Sequence, residues 1–173
     1  MPALGMTYAA YVALVGASML APETSFNAQP VEAKNKTWLV SVGTNAKGKS
    51  DVGQDGFLTA EYLSYSPLLW ELKPNFAIGL SVDGGGFVGA GVRKDFAWGP
   101  VVVTPSFGPV LFQSDLGRFE SKELIQFKTG IDASIAVAKN AYVGVGVFHI
   151  SNAGLTKSSA GVDVTRVSVR WNY

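Results

Sequence analysis

Residues 125–137 read Ile125-Gln126-Phe127-Lys128-Thr129-Gly130-Ile131-Asp132-Ala133-Ser134-Ile135-Ala136-Val137, and their alternation decides the fold. Ile125, Phe127, Thr129, Ile131, Ala133, Ile135 and Val137 form one row, and Gln126, Lys128, Gly130, Asp132, Ser134 and Ala136 form the other. A period of two belongs to a β-strand, whose side chains point alternately to its two faces. One face of this strand is apolar along its whole length while the other carries a lysine and an aspartate.

Working outward, the same pattern recurs and no segment past residue 35 keeps a helical period. On the carboxyl side, Ala138 to Ala141 makes a short turn into a strand over Tyr142 to Asn152. A last strand, Val162 to Tyr173, sets Val167, Val169, Trp171 and Tyr173 against Arg166, Ser168, Arg170 and Asn172. On the amino side, Val101 to Phe112 contains Pro105 and Pro109, which cannot donate to a ladder and predict a bulged or irregular strand. Phe96 to Pro100 reads as a turn, with aromatic residues where a membrane interface favours them. Phe87 to Asp95 and Phe76 to Val82 alternate cleanly across the hairpin Asp83-Gly84-Gly85-Gly86. That glycine run is not a phosphate loop, because no Lys-Ser/Thr pair follows it. Ser66 to Asn75 reads as a turn, Phe57 to Tyr65 as a less regular strand, and Lys36 to Thr44 as a strand with Trp38, Val40 and Val42 on one face.

Eight such strands in up-and-down order predict an all-β protein, an eight-stranded antiparallel transmembrane β-barrel that is apolar outside and polar inside. Its edge must close, since lipid offers no partner to an open ladder. A soluble barrel of lipocalin type would turn the apolar faces inward, leaving the terminal Tyr173 and the glycine-rich faces of three strands without a reason. With the apolar faces outward, Lys128, Asp132, Arg166 and Arg170 point into the barrel and should pair with one another or with Glu61, Asp83 or Arg93.

Composition sets the remaining bounds. At 173 residues the chain is one domain, 47% hydrophobic and only 16% charged. A net charge of +1 gives no electrostatic footprint for nucleic acid, and the absence of cysteine excludes a disulfide framework, a zinc ribbon and a thiol nucleophile. Tyr8 to Leu20 is apolar and rich in small residues, too short to span a bilayer as a helix, and is followed by Pro22 and Glu23. We read residues 1–33 as a secretory leader cleaved after Ala28 or Ala33, although no Lys or Arg precedes Lys34, and residues 34–173 as the barrel.

The candidate chemistry lies in His149-Ile150-Ser151-Asn152-Ala153-Gly154, with Asp163 downstream. His149 is the only histidine, and as it stands two residues from Ser151 a strand puts both on one face. A hydroxyl beside an imidazole, with a carboxylate to fix the tautomer, is what serine nucleophilic catalysis requires. Val143, Val145 and Val147 share the face of His149 and Ser151, and Thr165, Val167 and Val169 share that of Asp163. All three candidates therefore face lipid, where ionisable groups are costly and usually functional, so the substrate should itself be a lipid. Pairing His149 with Asp163 requires Val147 opposite Thr165 and Ser151 opposite Gly161, which would leave open space beside the nucleophile for an acyl ester. A slip of one residue would turn Asp163 into the barrel.

The run His149-Ile150-Ser151-Asn152-Ala153-Gly154-Leu155, with the spacing from Ser151 to Asp163, resembles the lipid A 3-O-deacylase (PagL) family of outer-membrane barrels. The resemblance implies a serine hydrolase that releases the 3-O-linked 3-hydroxyacyl chain of lipid A, with Ser151 as nucleophile and His149 as base. Asp163 stands where the family carries Glu, an arm one methylene longer. Asn152 and the backbone N–H of Gly154 stand where the family's oxyanion hole would be. The same resemblance implies lipopolysaccharide as substrate, no metal or cofactor, and placement in the outer membrane, and it leaves a homodimer open. Two other readings stand beside it. One is a structural or adhesive barrel in which His149 and Ser151 are merely polar residues near a loop. The other is an acyltransferase, for which no acceptor site is evident.

Overall fold

The computed structural model describes residues 8–29, 36–45, 56–82, 84–113, 124–152 and 161–173. Among these, nine strands are assigned: β1 (Thr37–Asn45), β2 (Gly56–Leu63), β3 (Lys73–Ser81), β4 (Gly86–Arg93), β5 (Phe96–Trp98), β6 (Val101–Gln113), β7 (Ile125–Ala138), β8 (Ala141–Ser151) and β9 (Val162–Asn172). Each pairs antiparallel with its neighbour, and β9 returns to β1 from Thr37 opposite Asn172 to Asn45 opposite Val164. The sheet is thereby a closed barrel of eight staves, as the alternation predicts.

Nine strands make eight staves because β4 and β5 are one stave with a gap. Arg93 lies opposite Ser106 and Phe96 opposite Val103, so the register on β6 is unbroken across Lys94 and Asp95. Pro105 stands opposite that gap: its carbonyl accepts from the Lys94 N–H at 3.2 Å, but it has no N–H to return. Pro109 likewise has no N–H to give, and there the β4–β6 ladder is interrupted between Gly89–Val110 and Val92–Phe107. The irregularity expected of the two prolines is thus a pair of missing ladder bonds with no bulge. The one register shift between β7 and β8 falls at Ala136/Ala138, next to the turn. Two segments read as turns are corrected for related reasons. Phe96–Trp98 pairs with Val101–Val103, and Lys73–Asn75 opens β3, because its lysine and asparagine side chains find partners inside the barrel.

The two faces divide as expected. Val42, Leu58, Ile78, Leu80, Val88, Val145 and Val167 are exposed on the outside. Trp38, Tyr62, Phe76, Trp98, Trp171 and Tyr173 gather at the end holding the carboxyl terminus; Trp38 and Tyr62 meet edge to face at 5.5 Å, and Trp38 Nε1 donates to the Tyr173 hydroxyl at 3.2 Å. Inside, the predicted charges are present and paired. Glu61 accepts from Lys128 at 2.6 Å and from Arg166 at 2.5 Å, and Arg166 also holds Asp132 through Nε at 2.9 Å and a second nitrogen at 2.5 Å. Gly146 makes room for this pair, since a Cβ there would lie 2.0 Å from Asp132 Oδ1. Arg170 finds the Tyr65 hydroxyl and lies 3.6 Å from Asp95, a partner the sequence reading passed over; Asp95 also binds Arg93 and the Thr104 hydroxyl. Asp83 lies outside the described residues.

Above the charged layer, towards the end bearing connections 46–55, 114–124 and 152–161, the interior is mostly apolar, with Gln126, Asn45 and Ser81 as buried polar members. Phe57, Phe87, Val110, Phe112, Phe148, Ile150, Val162 and Val164 fill it. Outside the barrel, helix α1 (Tyr8–Leu20) sets Tyr11, Val15 and Met19 against Leu72, Ile131 and Val147. The Tyr11 hydroxyl reaches the carbonyl oxygens of Thr129 and Val147, each at 3.1 Å. Beyond α1, Glu23 accepts from Lys73 Nζ at 2.7 Å and from the Asp95 N–H at 2.8 Å, and the Gln29 N–H donates to Ala97 O at 2.7 Å. Of the two candidate cleavage positions, Ala28 belongs to this docked segment and Ala33 lies outside the described residues.

Removing one member of a buried ion pair leaves the other charged and desolvated, at a cost of about 3–5 kcal/mol. Glu61→Gln leaves Lys128 and Arg166 with Asp132 as their remaining acid, and should lower unfolding stability by that amount. Urea titration of the detergent-folded protein, read by the heat-dependent shift in gel mobility, measures it; an unchanged midpoint would mean that water screens the interior.

Candidate active site

The site grows out of the β8–β9 hairpin. Val143, Val145, Val147, His149 and Ser151 form the outward row of β8, and Thr165 and Asp163 continue the outward row of β9. His149 lies opposite Asp163 and Val147 opposite Thr165, the register that the sequence requires. Opposed side chains on one face of an antiparallel pair are about 5 Å apart at Cβ, close enough for a carboxylate to reach an imidazole. It does: His149 Nδ1 and Asp163 Oδ1 are 2.7 Å apart. With the carboxylate as acceptor, Nδ1 carries the proton and Nε2 is the acceptor nitrogen of the ring. A histidine so held can accept a proton from a hydroxyl beside it, and Ser151 is the next residue on its face.

Burial separates the members. His149 and Ser151 are 8% and 7% exposed, whereas the Asp163 side chain is 41% exposed. The imidazole is shielded and the carboxylate stands at the surface. Behind them the strands are packed hard: Phe148, Ile150, Val162 and Val164 point inward and are almost fully buried. Phe148 meets Phe57 and Phe87 edge to face, at 6.5 and 5.9 Å. A wall of close-packed side chains resists displacement, so the hairpin's outward groups are carried on a stiff support.

On the other flank of β8, Phe127 lies opposite Ser151 and Thr129 opposite His149. Phe127 stacks on Phe107 with centroids 5.8 Å apart and planes within 4°, an apolar shelf beside the serine. The reading of single strands missed it, and counting back across the Ala138–Ala141 turn would have named Lys128 instead, because the register shifts by one residue at Ala136/Ala138. The space expected beside the nucleophile is also different. The volume vacated by the missing side chain of Gly161 is filled by the imidazole, whose Cε1 and Nε2 would lie 2.2 and 2.6 Å from a Cβ at that position. Asn152 is buried at the end of β8, and Gly154, the second donor expected of an oxyanion hole, lies outside the described residues. Among the described residues no group of three or more His, Cys, Asp or Glu side chains is placed to hold a metal ion.

Comparison with known proteins bears on what this arrangement serves. Residues 25–172 match the profile of the family described as lipid A 3-O-deacylase (PagL). No curated protein matches the sequence. Among solved structures, the chain is similar to the outer membrane enzyme PagL, with 19% identity, a TM-score of 0.58, and 77% of this chain and 98% of that one covered. It is also similar to a de novo designed transmembrane β-barrel, with 14% identity, a TM-score of 0.54, and 84% and 100% covered. The outer membrane protein Ail of Yersinia pestis follows the same course, with 14% identity, a TM-score of 0.50, and 81% and 100% covered. At these identities the structural likenesses speak for the barrel alone.

Because the chain has a single histidine, its imidazole resonances are unambiguous. The short Nδ1–carboxylate bond should give a downfield Nδ1 proton in the folded protein, and Asp163→Ala should abolish it without loss of the folded gel form. A spectrum identical in the two proteins would show that the bond does not form in solution.

Proposed function

The chain belongs to the lipid A 3-O-deacylase (PagL) family, and from that premise we propose that it hydrolyses the ester of the 3-O-linked 3-hydroxyacyl chain of lipid A with Ser151, His149 and Asp163 as its catalytic residues. Family and fold together make it an outer-membrane barrel and a lipid A deacylase. The position on the sugar and the roles of the three side chains are our reading. One observation carries it: a His–Asp pair at 2.7 Å on the apolar outer face of the barrel, with a serine next in the row.

The location suits the substrate. In outer-membrane barrels the termini and short turns lie on the periplasmic side and the longer connections outside. His149, Ser151 and Asp163 stand at the end of the hairpin that runs into connection 152–161, hence in the outer half of the barrel. An acyl ester of a lipid in the outer leaflet can approach from the bilayer, with its chain along Phe127 and Phe107.

The chemistry then follows in two halves. The Ser151 hydroxyl attacks the ester carbonyl as His149 Nε2 takes its proton, forming a tetrahedral intermediate. Its oxyanion is stabilised by the Asn152 side chain and the Gly154 N–H, a type of contact worth roughly 3–4 kcal/mol per donor. Collapse breaks the bond to the sugar oxygen, which leaves with the proton from His149. Water attacks the resulting acyl-serine with His149 again as base, releasing the 3-hydroxy fatty acid. Asp163 stays ionised throughout, holding the tautomer and stabilising the imidazolium.

Mass spectrometry of purified lipid A incubated with the protein should show the loss of one 3-hydroxyacyl chain and an equal amount of free 3-hydroxy fatty acid. Ser151→Ala and His149→Ala should each abolish the product and keep a folded barrel, and Asp163→Asn should slow it by about four orders of magnitude. Asp163→Glu should retain activity. Turnover by Ser151→Ala at the parental rate would rule out the serine mechanism, and an acylated lipid acceptor in place of free fatty acid would make the protein a transferase.

A further inference from the structure

We propose that Gly161 is a positioning residue for the imidazole of His149: the absent side chain at this position makes the slot in which the ring lies alongside Ser151. The inference rests on the reading of His149 and Ser151 as base and nucleophile, and it begins from the register. The β8–β9 ladder runs through His149–Asp163 and ends at Ile150–Val162. Continued by one pair, it sets Gly161 opposite Ser151, so Gly161 occupies the outward position facing the serine across the hairpin.

Any other residue there would direct a Cβ at the ring. The built Cβ lies 2.2 Å from Cε1, 2.6 Å from Nε2 and 3.4 Å from Nδ1, so all three of its nearest neighbours are imidazole atoms. The glycine is not needed for its backbone, since the positive-φ glycines among the described residues are Gly84 and Gly99. What the position supplies is therefore space. The ring leans along the hairpin from the His149–Asp163 pair towards the position of Gly161, and the edge carrying Nε2 is the edge that overhangs Gly161. A rotamer that leaned the other way would carry Nε2 away from the serine.

The ring cannot yield to a methyl group without losing something else. It is tied to Asp163 at 2.7 Å, and Ile150 and Phe148 hold the strand beneath it. A displacement of about 1 Å in a group that must align with a nucleophile costs roughly 100-fold in rate. Substrate binding, by contrast, does not depend on the ring's tilt.

The test is Gly161→Ala in the full chain, folded in detergent and assayed on purified lipid A. We expect kcat to fall about 100-fold with KM within about twofold, and the His149 imidazole resonances to shift. Because Gly161→Ala and Asp163→Asn act through one ring, the double variant should be much faster than the product of the two losses predicts. Any loss of folding stability in Gly161→Ala should disappear in His149→Ala/Gly161→Ala, where the ring is gone; a defect that persists there would overturn the proposal. Parental kcat with an unshifted imidazole spectrum, in a protein whose Ser151→Ala variant is inactive, would also overturn it while leaving the serine mechanism intact. If Ser151→Ala is instead active, the mechanism falls and the catalytic role of Gly161 falls with it.

Discussion

Everything in this molecule depends on the β1–β9 ladder. A strand edge facing hydrocarbon leaves N–H and C=O groups without partners, at several kilocalories per mole for each unpaired group. Pairing Thr37 to Asn45 with Asn172 to Val164 removes the last such edge. Closure also fixes parity, because once each stave is hydrogen-bonded on both sides no strand can slip by one residue without turning its apolar row inward and its charges into lipid. The two proline-induced gaps against β6 are tolerated for this reason: missing bonds at Lys94 and Ala90 leave the register of the stave unchanged on either side.

Parity then allots the polar groups to two very different places. Inward, Glu61, Lys128, Asp132 and Arg166 satisfy one another, and Arg93, Asp95 and Arg170 form a second group nearer the termini. These are charges made safe by mutual pairing. Outward, on strands otherwise valine-rich, stand His149, Ser151 and Asp163, with one short bond between two of them. On the proposed function this arrangement is chemistry offered to the bilayer, in keeping with membership of a family of lipid A deacylases.

The interior also supports that chemistry. Where the wall carries the candidate site, the filling changes from ion pairs to aromatic and aliphatic side chains, with Phe148 at the centre against Phe57 and Phe87. Lys128 and Arg166 cap the same ring from below, 5.2 and 5.4 Å from its centroid. The candidate site lies on the outer side of a thin barrel wall. Its precision must come from the strands beneath it, and a close-packed, mostly apolar core directly behind them is how a thin barrel wall can provide it.

The sequence by itself determined most of the strands and their faces, because both follow from a period of two, whereas the pairing of His149 with Asp163 was the register that the candidate chemistry required and the β8–β9 ladder supplies. The inward charges were legible for the same reason. Their partners were only partly so: Glu61 and Lys128 meet across the barrel, 67 residues apart in the chain, and Lys73 and Asp95 were hidden in stretches that read as turn or strand end. Only the tertiary structure decided that Phe96–Trp98 is the continuation of a stave and that Glu23 meets Lys73 at the end of the barrel near the termini. It also decided what fills the space at Gly161. Register names the residue opposite a serine, but a missing Cβ is empty in sequence, and which neighbour leans into it depends on a rotamer set by the carboxylate on the far side of the ring.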